Sequence, residues 1–542
     1  MVKPLHLNLI FIILAPFFVS SLSQPSHLIT YCLSKYHVTN FSVLPTSKNE
    51  LNTSSYYNDL LFSLRNLRFL TPIIPKPGVI ILPHSKEQLV SSLLCSKNAG
   101  YEVRIRSGGH SYEGISSASN DGKPFVIIDM MNLDRVVVDL PSETAWVEGG
   151  ATLGQVYYTI AEQCKGLFGF SAGSCSTMGV GGHILGGGFG LLSRKYGLAA
   201  DNVVDVILVG PEGQVLDRAS MGEEVFWAVR GVGGGSFGIV YAWRIKLLKV
   251  PPKVSACQVS RIGDFNNMSQ LVHTWQYVGP YLNDLFYISI FLQGNNDGNR
   301  SHISATFGVQ YLGERNEAIY VIENKFPELR LMKSECKDLS WIESVLYFSG
   351  LGERSTINDL TKRYPGGKNN FKAKSDYVTN IIPTEGIRVA MNTLTMEPKG
   401  YILMDPYGGM MARIANDSIA FPHRNGNLFS IQYMVSWGKE EDINRDRYIA
   451  WIRGFYELMT PFVSSNPRKA YVNYLDLDLG GRQFGSNVND DAVEEARVWG
   501  EKYFLNNYDR LVKVKTLIDP CNFFNYPQGI PPIPTNKQCY NS

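Results

Sequence analysis

Charge is the first thing this chain is short of. Of its 542 residues 18 % are Asp, Glu, Lys or Arg, and 51 basic side chains against 49 acidic ones leave a net charge of +2. A field this weak gives no electrostatic footprint for nucleic acid or for an anionic membrane surface. Long apolar runs are also missing. Residues 9–19 are apolar with Pro16 among them, and no later stretch approaches the roughly 20 residues that a spanning helix needs. No Cys-x-x-Cys pair or Cys/His cluster has zinc spacing, so no structural metal is expected. No glycine-rich loop ends in Gly-Lys-Ser/Thr, which excludes a Walker-type phosphate loop. A Gly-x-Gly-x-x-Gly spacing does occur at Gly233, Gly235 and Gly238, but a strand follows where a dinucleotide fingerprint needs a helix. Internal repeats and low-complexity segments are absent, which excludes repeat architectures.

What is present is the pattern of an exported two-domain protein. The length exceeds one compact core, so two domains are expected. Lys3, the apolar residues 9–19, and the small Ser21 and Ser23 before Gln24 form a cleavable secretory signal over residues 1–23. Five glycosylation sequons follow, at Asn40, Asn52, Asn267, Asn299 and Asn416. Disulfides become possible in that compartment. The eight cysteines are Cys32, Cys95, Cys164, Cys175, Cys257, Cys336, Cys521 and Cys539; an even count does not prove four bridges, and Cys175 is set apart by its surroundings.

Those surroundings are glycine. Residues 104–114 read Arg-Ile-Arg-Ser-Gly-Gly-His-Ser-Tyr-Glu-Gly, and residues 169–190 carry Gly173, Cys175, Met178, Gly179, Gly181, Gly182, His183 and four further glycines at the end of the run. Such density calls for positive φ or close backbone approach, either to a flat or anionic cofactor or at a tight structural crossing. Around it, strands at residues 78–82, 102–106, 125–129 and 145–148 alternate with helices at 87–98 and 153–163, the latter capped by Thr152, which predicts an α/β first half. Residues 250–253, Val-Pro-Pro-Lys, mark a boundary. Beyond them, alternating runs at 285–292 and 304–311 and a helical stretch at 444–460 predict an α+β domain with an antiparallel sheet. In the strand at 428–437, Phe429, Ile431, Tyr433, Val435 and Trp437 share one face. The mixed face, with Ser430, Gln432 and Met434, lines a cavity or meets solvent.

Taken alone, His110 reads as a hydrogen-bonded loop histidine and Cys175 as a disulfide partner. Tyr112, Tyr471 and Tyr474 read as packing aromatics. A thiol-protease reading of Cys175 with His183 lacks any matching flanks. The motifs at 106–112, 173–183, 421–424, 471–480 and 519–524 together resemble the plant berberine bridge enzyme-like oxidases, within the vanillyl-alcohol-oxidase-type flavoproteins, over essentially the whole mature chain.

That resemblance implies an α/β plus α+β flavoprotein of the PCMH type. Residues 24–74 would pack on an FAD domain at 75–250, a substrate domain would occupy 251–470, and residues 471–542 would return to the FAD domain. It implies FAD bonded covalently through His110 and Cys175, with Arg106, Ser107, Gly108, Gly109, Ser111, Gly173, Gly179, Gly181, Gly182, His183 and Asn522 around it, and a disulfide between Cys32 and Cys95. It implies hydride transfer from a hydroxylated small molecule to the flavin. Tyr112, Tyr471, Tyr474 and Gln432 would surround the ring, with Ser430 in place of Gln432 if the strand alignment slips by two. Tyr474 is the expected base if a neighbouring cation depresses its pKa. Met178, three residues after the cysteine, would gate oxygen and slow its reaction. The expected product is a secreted or vacuolar monomer passing electrons to oxygen or another acceptor. An oxidative cyclase, or a defence or binding protein with a vestigial flavin, are the alternatives.

Overall fold

The computed structural model describes residues 25–46, 54–119, 122–296, 301–364, 367–482 and 491–534. The expected signal peptide, Asn52, Asn299 and Cys539 lie outside them.

The first half builds two sheets. Val79–Ile81, Phe125–Asp129 and Glu102–Arg106 run parallel in that order, and Phe41–Val43 adds antiparallel at the edge. All five residues of Phe125–Asp129 are buried, as an apolar run flanked by parallel neighbours should be. The crossover helix Lys86–Asn98 starts at Ser85, whose side chain accepts from the Gln88 N–H. The Cys32–Cys95 disulfide fastens that helix to Pro25–Lys35.

Alternation of strands and helices accounts for this sheet only. The second is antiparallel, in the order Val136–Asp139, Thr144–Glu148, Ile239–Lys246, Val203–Val209 and Val215–Leu216. Thr152 opens the helix Leu153–Gln163 with a reciprocal capping box to Gln155.

Beyond residue 253 a seven-stranded antiparallel sheet runs Cys336–Leu339, Val254–Gly263, Ser301–Tyr311, Phe286–Asn296, Gly400–Pro406, Phe429–Trp437 and Asn370–Val378. Strict alternation gives it two unlike faces. Phe429, Ile431, Tyr433, Val435 and Trp437 pack on Trp275, Leu394 and Phe455 from the helices Phe265–Val278, Thr384–Met396 and Arg445–Leu458. Tyr287, Tyr377 and Tyr407 instead join the core built by Val147, Trp243 and Ala199, so the second face closes over the glycine-rich segments. The helices Ala492–Phe504 and Tyr508–Ile518 complete that core with Trp499, Tyr503 and Leu511.

A second disulfide joins Cys257 to Cys336, which are partners in the register of adjacent strands; Cys521 is also disulfide-bonded, and Cys164 and Cys175 are free thiols. Asn40, Asn267 and Asn416 are exposed. No helix among the described residues is long and apolar enough to cross a membrane.

Candidate active site

The two glycine segments meet backbone to backbone. A Cβ on Gly108 would lie 2.2 Å from the Gly179 nitrogen, and one on Gly179 would lie 2.2 Å from the Gly108 nitrogen. A Cβ on Gly181 would lie 2.5 Å from the Gly149 carbonyl oxygen. These glycines exist for a crossing. Gly182 is different: a Cβ there would meet no protein atom within 4 Å, and Gly182 forms part of a cavity wall. The sequence left crossing and cofactor as alternatives; Gly108, Gly179 and Gly181 sit at a crossing, and Gly182 opens on the cavity.

The cavity holds about 470 Å³, within the range of small-molecule and cofactor sites. It gathers His110, Cys175, Tyr112, Tyr471, Tyr474, Gln432 and Met178, together with Ser107, Gly108, Gly109, Ser111, Gly173, Gly179, Gly181 and His183. Ser430 is buried beside Gln432 on the same strand but does not reach the cavity wall.

Two reactive side chains flank one hydroxyl. His110 Nε2 lies 2.9 Å from Thr177 Oγ1, and Cys175 Sγ lies 3.7 Å from the same oxygen. Burial, reinforced by the Arg65 charge, pulls His110 down to about 3, so the imidazole is neutral at physiological pH. His183, likewise lowered by burial to about 4, accepts the Gly173 N–H at 3.1 Å. A neutral imidazole, a free thiol and a wall left open at Gly182 fit a covalently held flavin.

The opposite wall is aromatic. Tyr112 and Tyr474 stack with centroids 5.3 Å apart and planes 5° from parallel, and Tyr471 meets Tyr474 edge-on at 4.9 Å. Gln432 donates its amide N–H to the Tyr112 hydroxyl at 2.5 Å. The Tyr471 oxygen accepts from the Gly188 and Phe189 N–H groups at 3.1 and 3.2 Å and from Asn473 at 3.0 Å, which fixes the end of the glycine run.

Three expectations change. Arg106 does not line the cavity: its guanidinium donates to Asp129, its register neighbour, at 2.8 Å and to the Leu60 and Asp59 carbonyls. Asn522 is also off the cavity wall. It sits at φ 51 in a turn held by the Asp519 carboxylate, which accepts the Phe523 and Phe524 N–H groups, and Asn525 and Tyr526 reach the cavity instead. The depressed Tyr474 phenol is not found. Burial, and then the acidic neighbours Tyr112, Asp405, Tyr471 and Tyr287, push it well above its ordinary value.

Sequence reasoning missed Asp405 and Tyr287. Both line the cavity, and the Tyr287 hydroxyl donates a short hydrogen bond to Asp405 Oδ1. The period-2 pattern of the strand Gly400–Pro406, with Ile402 and Met404 turned to the helices, was the available signal.

Known proteins agree with this architecture. A family model of the FAD binding domain matches residues 77–218, and one described as berberine and berberine like matches residues 470–531. The chain is 54 % identical to berberine bridge enzyme-like D-1 of Nicotiana tabacum, over 99 % of this chain and 98 % of that one. It is 44 % identical to a reticuline oxidase of Papaver somniferum, over 98 % and 97 % of the two chains. Its fold superposes on berberine bridge enzyme from Eschscholzia californica with a TM-score of 0.90 at 43 % identity, over 94 % of this chain and 99 % of the other. With relatives matched along nearly its whole length and an FAD-binding segment whose residues line the cavity, the chain belongs to the berberine bridge enzyme-like family and is an FAD-dependent oxidoreductase.

Proposed function

We propose that the protein is an exported oxidoreductase that holds FAD through both His110 and Cys175 and oxidises a hydroxylated small molecule, an alcohol, a sugar or a phenolic that also carries an alcohol group, by taking a hydride from the C–H carbon that bears the alcohol hydroxyl. The observation that carries this reading is the meeting of His110 and Cys175, distant in sequence, across Thr177 on one cavity wall. FAD, when bound, supplies the two-electron acceptor.

The chain's own residues prepare the rest. Burial keeps the His110 lone pair available for bonding to carbon. Gly182 leaves the wall open, and the Tyr471 oxygen holds the turn at Gly188 and Phe189. The paired rings of Tyr112 and Tyr474 give a flat apolar surface against which a substrate ring can lie. Export is supported by the sequons at Asn40, Asn267 and Asn416, which are exposed, and by the disulfides.

Flavin fluorescence on a denaturing gel tests the attachment. The wild type is expected to fluoresce, His110→Ala and Cys175→Ala each to retain flavin through the remaining bond, and the double variant to lose it. A double variant that stays fluorescent would place the attachment elsewhere.

A further inference from the structure

Oxidising a hydroxyl carbon needs somewhere for the hydroxyl proton to go, and the side chains around the cavity narrow the choice. Gln432 has no group that takes up a proton at neutral pH, and its amide N–H is already given to Tyr112. Tyr112 and Tyr474 are phenols that burial holds protonated. His110 is the proposed flavin attachment.

Asp405 is the one carboxylate among the described residues that line the cavity. It is 6 % exposed, lies on the cavity face of Gly400–Pro406, and stands opposite Ser430 in register, two residues beyond the Leu403–Gln432 pair. Its Oδ1 accepts the Tyr287 hydroxyl, and its Oδ2 has no hydrogen-bond partner among the described residues. No ammonium or guanidinium is paired with it there. The ionisable side chains that feel its charge are the phenols of Tyr287, Tyr407, Tyr471 and Tyr474, all of them raised by burial. A carboxylate buried without a counter-cation is costly, and such a group in a cavity wall marks a functional site.

Resting on the function proposed above, we propose that the Asp405 carboxylate, held by Tyr287, is the base that takes the substrate's hydroxyl proton. In this step the substrate O–H bond breaks and its proton goes to Asp405. The adjacent C–H bond breaks and its hydrogen leaves with both electrons for the flavin, which is reduced. The C–O bond becomes a carbonyl. Tyr287 acts as a positioning residue, keeping Oδ1 occupied so that the free oxygen faces the cavity. Burial, only partly offset by the Tyr287 hydrogen bond, pushes Asp405 up to about 6, nearer neutrality than an ordinary carboxyl, which makes it a stronger general base. The reactive form is the ionised one, so activity is gained as pH rises through about 6.

The test uses the flavin-loaded full chain. Anaerobic flavin bleaching by benzyl alcohol, 4-hydroxybenzyl alcohol and glucose is followed as a function of pH. The wild-type rate should rise to a plateau with a midpoint near 6. In Asp405→Asn the rate at the plateau should fall at least about a hundredfold and the rise should vanish. Tyr474→Phe should leave the midpoint in place. A readout independent of turnover is the infrared carbonyl band of a protonated carboxyl, which should titrate near the same midpoint and be missing in Asp405→Asn. An unchanged flavin spectrum shows that the variant is folded.

If the wild type is bleached but Asp405→Asn keeps the rise, or Tyr474→Phe loses it, the assignment to Asp405 is wrong while the function stands. If no probe bleaches the wild type at any pH, the proposed substrate class falls, and this base with it.

Discussion

At the scale of single residues, glycines of the two rich segments do different work, and two substitutions separate them. Gly108→Ala would drive a methyl into backbone at Gly179, atoms that cannot swing aside, and should cost about 3 kcal/mol of stability or more. Gly182→Ala meets only open space, and within the helix Val180–Leu185 it gains up to about 1 kcal/mol of helix propensity. Its melting temperature should be no lower than wild type, whereas the ratio of flavin to protein absorbance should fall. Equal flavin loading in Gly182→Ala would mean that the open wall is not where the cofactor lies. Met178 makes a third case. It lines the cavity beside Cys175, and a shorter Met178→Val side chain should speed reoxidation by air at least about tenfold, some 1.4 kcal/mol in barrier, in a stopped-flow measurement. What the sequence disclosed at this scale was local. His110 and Cys175 stood out because their glycine neighbours are adjacent in the chain. Arg106 misled for the same reason, since it is next to the glycines in sequence while its partner Asp129 is set by strand register. Asp405 was invisible because its role depends on Tyr287, more than a hundred residues away.

At the scale of elements, one buried ionic cluster ties the two halves of the site together. Lys372 and Lys374, on Asn370–Val378, reach Glu113 in the loop that follows His110, and Asp476 and Asp478 in the segment that follows Tyr474. The contacts of Lys374 to Asp476 and Asp478 measure 2.5 and 2.9 Å, and both lysines and Asp476 are almost wholly buried. The two loops that carry Tyr112 and Tyr474 are therefore anchored to the seven-stranded sheet by charge rather than by apolar packing alone. Lys374→Met removes one of the two ammonium groups on the buried Asp476, leaving Lys372 to hold it alone, and should cost about 3 kcal/mol, read from denaturant unfolding. Acid should act in the same place. Burial pushes Asp478 up, but the Arg453 hydrogen bond and the charges of Lys372 and Lys374 outweigh it and hold the carboxyl below its usual range. A lowered folded-state pKa stabilises above the unfolded value of about 3.9 and is lost as pH falls below it. Melting temperature should therefore drop in strong acid, and less so in Asp478→Asn. Individual strands and helices could be read from their periodicity, but the cluster could not. It depends on which strand lies at the sheet edge next to Phe429–Trp437, and alternation says nothing about strand order.

At the scale of the whole molecule, the described cysteines divide into bridged pairs and two free thiols. Cys32–Cys95 fastens the N-terminal helix to the parallel sheet, and Cys257–Cys336 crosslinks two strands of the large sheet, each away from the cavity wall. Cys164 and Cys175 are both free, but in unlike places. Cys164 is buried at the end of Leu153–Gln163, where burial pushes the thiol up and keeps it inert, while Cys175 faces the cavity. If Cys175 carries flavin, alkylation of the unfolded, unreduced protein should label Cys164 and leave Cys175 unlabelled on a peptide heavier by the cofactor. In His110→Ala the Cys175 peptide should stay flavin-bearing, and in Cys175→Ala the His110 peptide should carry the added mass alone. Alkylation of Cys175 in yellow, wild-type protein would remove the second attachment while leaving the first intact. Peptide mass mapping thus reads each bond separately, in a chain where Cys32, Cys95, Cys257 and Cys336 are already tied up in bridges away from the cavity wall.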